Sequence, residues 1–364
     1  MVVFSSKKRG KGFILFFLIS LLIFSSSCGS GSPADLSIKE LEEGIKEGLE
    51  KCLRSPQGLL YKSTKDKSFL SETIGLEMIW HLIAEDKSAF DYQFSLLKKY
   101  FISPVDLLYW KISETFDKCN SNASIDDLRV CRALILAYKK WKNGEYLETA
   151  QKIGNALLKH STWKNVLLDG VSWEPAGIFG GIAIDQGTKS ITLSYPDIEA
   201  MLLLNETDPD WLKVTQKTSG IVLLGALLKK NDVYWGYDIE SGTYNDRDKN
   251  LINKLLHLLH LASAGSIPIN HVRYLAFKLE VEDGIFDKSG SENIAVYSLA
   301  SLLFYESGFY MEAEACLEKL KKFRLDSGLL GYLSEDGGTE AWAFDNLLAL
   351  IAIETISGSP KKIR

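Results

Sequence analysis

The chain has 364 residues, enough for one large domain or two ordinary ones. Its hydrophobic content of 46% and charged content of 24% are typical of a globular protein and exclude an intrinsically disordered chain. The net charge is −5 and no basic block lies beyond the extreme N-terminus, so nucleic acid is not expected as a partner.

The first 27 residues have the pattern of an export signal. Four basic residues between positions 7 and 11 precede an apolar run from 13 to 24, which is short for a membrane-spanning helix. Small residues then lead to Cys28 and a Gly/Ser spacer. This resembles a bacterial lipoprotein signal, in which Cys28 would carry the lipid that anchors the chain in the cell envelope. Ser25 stands where such signals usually have Leu, so plain secretion and an uncleaved anchor remain alternatives.

Helical periodicity recurs along the rest of the chain, whereas strand-like alternation is limited to short pieces such as 182–184 and 190–193. The predicted helical segments are 34–58, 71–84, 88–101, 125–141, 145–159, 195–205, 208–229, 248–262, 268–279, 291–307, 309–322 and 339–356. These segments show no constant repeat period. They therefore favour a toroid of paired helices over its main rival, a solenoid of the tetratricopeptide type.

The segment 123–141 reads ASIDDLRVCRALILAYKKW, with apolar residues at helical spacing behind Asp126 and Asp127. An acidic pair at a helix start is ordinarily explained by its favourable interaction with the positive end of the helix dipole. The segment nevertheless resembles the signature of glycoside hydrolase family 8, the endoglucanase and chitosanase family. The matching residues are Ala123, Ser124, Asp127, Ala133, Leu134, Ala137 and Trp141, and the departures are Ile125, Asp126 and Cys131.

That resemblance implies an all-α (α/α)6 barrel whose partner is a polysaccharide or oligosaccharide. In the family, the front of this helix supplies an aspartate that holds the sugar at the cleavage subsite. Asp127 keeps the second aspartate of the pattern, whereas Ile125 replaces the first. We therefore expect Asp126 and Asp127 to bind substrate, with Asp126 a poor substitute for the missing aspartate.

A second block resembles the Ser-Glu-Gly-x-Gly-Tyr-Gly-Met segment of family 8, whose Glu is the general acid. The matching residues are Ser71, Glu72, Gly75 and Met78. From the residues alone, Ser71 is a good helix N-cap and Glu72 a first-turn acid. A proton donor needs a carboxyl whose pKa is raised by apolar surroundings, which neighbouring aromatic and aliphatic residues could supply. The resemblance makes Glu72 the predicted catalytic acid.

A third block contains Tyr237 and Asp238, which match the Tyr-Asp-Ala-x-Arg segment where family 8 endoglucanases carry the catalytic base. Ser241 stands at the Arg position. A turn-forming Asp is the ordinary alternative, and Glu240 is a second candidate for the base. Because the family inverts configuration, the resemblance implies that Glu72 and Asp238 lie about 6.5–9.5 Å apart, with a water between them.

Aromatic residues in loops are candidates for stacking on sugar rings. They are Trp173, Trp235 and Tyr237, together with Tyr195, which matches a Ser-Tyr pair that opens a helix in the family. Trp211 is better explained as a core residue.

The sequence gives no metal site and no cofactor. Four cysteines follow Cys28 without a Cys-x-x-Cys motif. Export permits disulfides, and Cys119 could pair with Cys131. His257 and His260 are three residues apart on an apolar helix, where packed histidines are more common than metal ligands.

These features divide the chain into a signal (1–27), a spacer with an N-terminal helix (28–57) and a glycosidase-like domain (58–364). We expect a monomeric inverting glycosidase that cleaves a β-1,4-linked polysaccharide, most simply a cellulose-like glucan. The lost motif residues leave two alternatives: a catalytically impaired surface lipoprotein that binds polysaccharide, and a helical-repeat scaffold without a sugar site.

Overall fold

The computed structural model describes residues 36–176, 181–247, 250–287, 290–333 and 337–358. The signal segment and Cys28 therefore lie outside the described residues. The helices in the described chain are α1 (Ile38–Gly48), α2 (Ser71–Ile83), α3 (Lys87–Leu96), α4 (Ser124–Trp141), α5 (Gly144–His160), α6 (Ile198–Thr207), α7 (Trp211–Leu227), α8 (Leu251–Ser263), α9 (Ile269–Glu282), α10 (Ile294–Glu306), α11 (Tyr310–Leu320) and α12 (Ala343–Ser357). Helices α1 and α3 continue into π-helical turns at Leu49–Leu53 and Leu97–Phe101, and α11 into a 3-10 turn at Lys321–Phe323.

The even-numbered helices form an inner ring. Each packs on the next, from α2 through α4, α6, α8 and α10 to α12, and α12 packs on α2 to close the circle. The odd-numbered helices lie outside, with α1 on α12, α3 on α2, α5 on α4, α7 on α6 and α11 on α10. Helix α9 is joined to α7 through His271, whose Nε2 lies 3.0 Å from the carbonyl oxygen of Ala226. This arrangement confirms the (α/α)6 barrel, and ring closure excludes an open solenoid.

Burial explains which helices are inner and which are outer. In α10 the eleven residues from Ile294 to Phe304 are all buried, because this helix is covered on every side. In α1 the buried residues Leu41 and Ile45 form one stripe, which the π-helical turn continues with Leu49 and Leu53. The segment assigned from sequence to a spacer and N-terminal helix thus contains an outer helix of the ring.

Short antiparallel strands occupy the loops that precede the inner helices. They are β1 (Phe69–Leu70), β2 (Lys111–Ile112), β3 (Thr162–Trp163), β4 (Val166–Leu167), β5 (Ser172–Pro175), β6 (Ile182–Asp185), β7 (Ser190–Thr192), β8 (Gly236–Asp238), β9 (Thr243–Asn245), β10 (Tyr332–Leu333) and β11 (Thr339–Glu340). These strands form four two-stranded pairs and one three-stranded sheet in the order β7-β8-β9. Such strands precede five inner helices, α2, α4, α6, α8 and α12. Since the chain alternates between inner and outer helices, the N-termini of the inner helices lie at one end of the barrel.

Candidate active site

Three inner helices begin without a capping side chain and carry an acid in their first turn. Helix α2 begins after Leu70 and carries Glu72, α4 begins after Ala123, and α12 begins after Trp342. The acids of α4 and α12 that matter here are Asp126 and Asp345. A carboxylate in the first turn offsets the positive end of the helix dipole. Because α2 lies between α4 and α12 in the ring, the three carboxyl groups share one end of the barrel.

Glu72 has the electrostatic character of a proton donor. Its side chain is half-buried, and burial, followed by the negative charges of Asp126 and Asp345, raises its pKa to about 7. The cations Arg129 and Lys62 act in the opposite direction. A carboxyl with such a pKa is substantially protonated near neutral pH, which is the state that a general acid requires.

Asp126 lies at the centre of a buried hydrogen-bonded group. Its Oδ2 accepts a hydrogen bond from the hydroxyl of Ser71 at 2.7 Å, and its Oδ1 contacts Nη1 of Arg129 at 2.6 Å. Burial raises the pKa of Asp126 in spite of these partners. The expectation that Ser71 caps α2 is wrong, because the residue is the first of the helix and its hydroxyl is directed to Asp126.

Gly75 explains how Arg129 fits between α2 and α4. A Cβ atom at Gly75 would lie 3.2 Å from Cδ of Arg129, closer than ordinary packing allows. The small residue therefore leaves room for the arginine side chain, which is 5% exposed and holds Asp126 in place. This gives a physical reason for the glycine that matched the motif.

Asp345 is a member of the cluster that sequence reasoning missed. It is 6% exposed, and burial raises its pKa to about 7, while a hydrogen bond with Tyr332 acts in the opposite direction. The hydroxyl of Tyr332 accepts a hydrogen bond from the backbone N–H of Ile294 at 2.9 Å, which fixes the phenol against α10. The available signal was an acid in the first turn of an otherwise apolar helix.

The predicted role of Asp127 in binding substrate is wrong. Its side chain is completely buried and accepts hydrogen bonds from the backbone N–H of Leu108 at 2.9 Å and from Nδ2 of Asn122 at 2.7 Å. Burial raises its pKa to about 7. Because α4 turns by about 100° per residue, neighbouring acids cannot face the same way. Asp126 faces Glu72 and Asp127 supports the loops behind it.

Tyr195 is near the acid cluster. Its pKa is raised to about 12 by burial and then by the charges of Asp169, Asp126 and Glu72. Asp169 accepts hydrogen bonds from the backbone N–H and the hydroxyl of Thr192, at 2.6 and 2.8 Å. Through β7 this contact fixes the turn that carries Tyr195, so its position agrees with the predicted role in binding.

Asp238 ends strand β8, opposite Ser190 of β7. Its Oδ1 accepts hydrogen bonds from the backbone N–H of Glu240 at 3.0 Å and from the backbone and hydroxyl of Ser241 at 2.8 and 2.9 Å. These bonds, chiefly those from Ser241, lower the pKa of Asp238, so it is ionised at neutral pH, as a base must be. Within the described chain no hydrogen bond joins Asp238 to Glu72, and their role as a pair stays a prediction.

The aromatic candidates divide into two groups. Trp173 is not a loop residue that could stack on sugar, because it lies in β5, is 4% exposed and packs against Tyr109 with ring centroids 5.6 Å apart. Tyr237 is half-buried beside Tyr244, at 4.9 Å, and Trp235 is also half-buried just before β8. Trp211 is fully buried, which confirms its assignment to the core.

The remaining polar candidates have structural roles. All four cysteines in the described chain are free, so the Cys119–Cys131 pairing is wrong; Cys131 is buried and Cys119 exposed. His257 and His260 are buried, and Nε2 of His257 lies 2.8 Å from the carbonyl oxygen of Val222, which confirms packed histidines. The described residues contain no group of three or more His, Cys, Asp or Glu able to hold a metal ion.

Comparison with known proteins relates this geometry to a family. The sequence profile of glycosyl hydrolases family 8 matches residues 56–176, which include the loop before α2, Glu72 and the whole of α4. Residues 56–176 thus resemble glycoside hydrolase family 8. The matched region carries Glu72 and Asp126 and stops before Asp238 and Asp345.

Other similar proteins match most of the length of the chain. The Bacillus subtilis (strain 168) protein YdaJ, named as a candidate lipoprotein, is 27% identical over 320 residues, which are 82% of this chain and 83% of YdaJ. A structure described as a novel alpha-amylase from Clostridium perfringens has a TM-score of 0.77 and 24% identity, covering 88% of this chain and 98% of that one. A β-1,3-1,4-glucanase from Paenibacillus sp. X4 has a TM-score of 0.65 and 16% identity, covering 91% and 96%. The two solved structures establish the shared fold.

No helix in the described part of the chain is both long and apolar enough to cross a membrane.

Proposed function

We propose that this protein is a glycoside hydrolase that cleaves a polysaccharide, with Glu72 as the general acid and Asp238 as the base. The observation that carries the proposal is the half-buried carboxyl of Glu72, whose pKa is raised to about 7 by burial and by Asp126 and Asp345. The match of residues 56–176 to family 8 and the neighbours described as an alpha-amylase and a glucanase support the same reaction class.

The reaction would use the opposite protonation states of the two carboxyl groups. Glu72, substantially protonated near pH 7, donates its proton to the oxygen of the leaving sugar. Asp238, kept ionised by the hydrogen bonds from Ser241, accepts a proton from the attacking water. If the water attacks from the face opposite the leaving group, the sugar inverts, which requires a separation of about 6.5–9.5 Å between the carboxyl groups.

The substrate proposal is a β-1,4-linked glucan, as the motifs imply. Because one structural neighbour is described as an alpha-amylase, the test panel must contain both linkage types. Soluble starch, carboxymethylcellulose, mixed-linkage β-glucan, xylan and chitosan would each be incubated with the chain, and released reducing ends would be measured. Product stereochemistry by proton NMR would then distinguish inversion from retention.

The decisive variant is Glu72→Gln, which keeps the size of the side chain and removes the proton. General acid catalysis contributes about 10²–10⁴-fold to the rate, so activity should fall by at least 100-fold on any substrate that the panel identifies. Glu148→Gln, on the exposed face of the outer helix α5, is the matched control and should retain full activity. Equal activity in Glu72→Gln and the parent chain would rule out the acid role.

A second candidate function is a surface lipoprotein that binds polysaccharide without cleaving it. Ile125 in place of the first signature aspartate and Ser241 in place of the loop arginine favour it. In that case the parent chain and Glu72→Gln would bind the same polymer and release no reducing ends. Anchoring through Cys28 is part of both proposals, supported by the name of YdaJ, and would be tested by palmitate labelling of the parent chain and of Cys28→Ser.

A further inference from the structure

A cavity of about 560 Å³ lies beside the candidate active site, between α8, α9 and the loop 230–235. This volume is within the range of about 300–1,000 Å³ that is usual for ligand pockets. Ser194 lines the cavity, while the next residue, Tyr195, belongs to the surroundings of Glu72. None of the four charged groups of the described chain that act on Glu72 lines this cavity. It is therefore adjacent to the reaction centre and separate from it.

Besides Tyr234, three half-buried aromatic side chains line this cavity: Trp235, Tyr274 and Phe286. Within the described residues none of them stacks on another ring. Tyr234, in contrast, is engaged on its own side of the loop, with Tyr244 stacked at 5.1 Å and Nζ of Lys229 lying 4.4 Å from its ring centroid. Aromatic rings that are half-buried and not paired offer flat apolar surfaces to a ligand.

The polar groups of the cavity are held in place by their own contacts. The hydroxyl of Ser194 donates to Oδ1 of Asn253 at 3.2 Å, an arrangement that directs the amide N–H₂ of Asn253 away from that bond. Nζ of Lys254 donates to the carbonyl oxygen of Asn231 at 2.8 Å and lies 3.3 Å from Asp232. Both residues are in the first turns of α8, so the donors are fixed before any ligand arrives.

Charge favours a neutral ligand over an anion. Three lysines line the cavity, but Lys254 is paired with Asp232 and Lys278 is paired with Glu282 at 3.2 Å. Two aspartates, Asp232 and Asp287, also line the cavity and offset the charge of the lysines. A ligand with many hydroxyl groups and apolar C–H faces would meet both the amide and ammonium donors and the aromatic rings.

We propose that this cavity is a second carbohydrate-binding site, which holds part of the polymer away from the point of cleavage. That a ligand binds here is argued from the cavity, whereas the choice of a sugar rests on the proposed function. Such a site would raise the affinity of the chain for long polymers without touching the reacting bond, because two linked contacts reinforce each other.

The test uses Tyr274→Ala, which removes one ring from the cavity wall without altering Glu72 or its neighbours. In the Glu72→Gln background, titration calorimetry would measure binding of maltohexaose, cellohexaose, xylohexaose and a glucosamine hexamer. For the hexamer that binds, we expect two sites in Glu72→Gln and one after Tyr274→Ala is added. Tyr310→Ala, an exposed tyrosine of the outer helix α11, is the control and should retain two sites.

A rate measurement separates this inference from the proposed function. With Glu72 intact, Tyr274→Ala should raise KM for the polymer at least 5-fold and leave kcat and the hydrolysis of short oligosaccharides unchanged. Tyr274→Phe, which keeps the ring, should restore the KM of the parent chain. If Tyr274→Ala is unfolded by circular dichroism, Phe286→Ala makes the same test.

Each outcome has one meaning. Unchanged stoichiometry and unchanged KM in Tyr274→Ala would overturn the second site and leave the hydrolase standing. Sugar binding that depends on Tyr274, in a chain that releases no reducing ends, would support the second site and overturn the hydrolase. Absence of binding by all four hexamers and absence of hydrolysis would overturn both.

Discussion

The carboxyl groups of Glu72, Asp126 and Asp345 illustrate how position in a helix decides the chemistry of a side chain. Each lies in the first turn of an inner helix, where the dipole favours a negative charge, yet burial and mutual repulsion favour the neutral form. The second effect prevails at Glu72, whose pKa is raised to about 7. Burial also raises the pKa of Asp126, although Arg129 and Ser71 stabilise its charge directly.

Asp345→Asn should shift the pH dependence of activity. With Asp345 ionised, its charge disfavours the ionised form of Glu72 and raises the pKa of Glu72; removing that charge lowers this pKa. The general acid must be protonated, so activity falls as pH rises through its pKa. We therefore expect the alkaline limb of the kcat/KM profile, near pH 7 in the parent chain, to move to lower pH in Asp345→Asn.

The control for this prediction is Asp185→Asn, an exposed aspartate of β6 that is absent from the charges acting on Glu72. Its profile should superimpose on that of the parent chain. An alkaline limb that stays in place in Asp345→Asn would show that Asp345 is structural only.

Asp127→Ala should reduce stability. The substitution leaves two buried donors, the N–H of Leu108 and Nδ2 of Asn122, without their acceptor, and each such loss costs about 1–3 kcal/mol. Thermal unfolding should therefore show a clearly lower midpoint. Asp210→Ala, an exposed aspartate before α7 whose side chain makes no capping hydrogen bond, is the comparison and should unfold near the parent temperature. A parent-like midpoint in Asp127→Ala would contradict the structural role.

Among the secondary-structure elements, α1 has an importance that its position near the N-terminus does not suggest. Its stripe of Leu41 and Ile45 is completely buried, and Lys46 pairs with Glu354 of α12 at 3.0 Å. The helix begins at a capping box, in which Ser37 and Glu40 exchange hydrogen bonds. It covers α12 as the other outer helices cover their inner partners.

Ile45→Ala tests this role of α1. Truncating a fully buried isoleucine costs about 2–5 kcal/mol, through lost burial and the cavity left behind. We expect chemical denaturation to show this loss in the free energy of unfolding. Lys39→Ala, on the same helix with a side chain that is 83% exposed, should change it by less than about 0.5 kcal/mol. Equal effects of the two substitutions would mean that α1 is dispensable.

Most of these helices could be predicted from sequence because their apolar residues recur at helical spacing. The predicted segments 71–84 and 125–141 match α2 and α4 within one residue at each end. Their packing was less predictable. Ser71 and Asp127 were misassigned because the partners that decide their roles, Asp126 and Leu108, are brought to them by tertiary contacts. Trp173 was misassigned because its loop forms a strand that covers it.

The ring as a whole accounts for what sequence reasoning could not see at Asp345. The family resemblance indicated a toroid, and that prediction is confirmed. It did not indicate that α12 packs beside α2 and brings Asp345 to Glu72. These two residues are 273 positions apart (345 − 72), and no local sequence pattern predicts a contact over that distance.

Closure of the ring by α12 also has a consequence for biosynthesis. Glu72 and Arg129 are made early, but the wall that holds Asp345 and Tyr332 is added only when the last inner helix emerges. A chain interrupted after α11 would keep Glu72, the acid that we assign to catalysis. It would lack Asp345, whose charge raises the pKa of Glu72. Because the ring is also open without α12, a ribosome-bound or truncated chain should be inert, and activity should arise in a single late step, when α12 docks between α2 and α10.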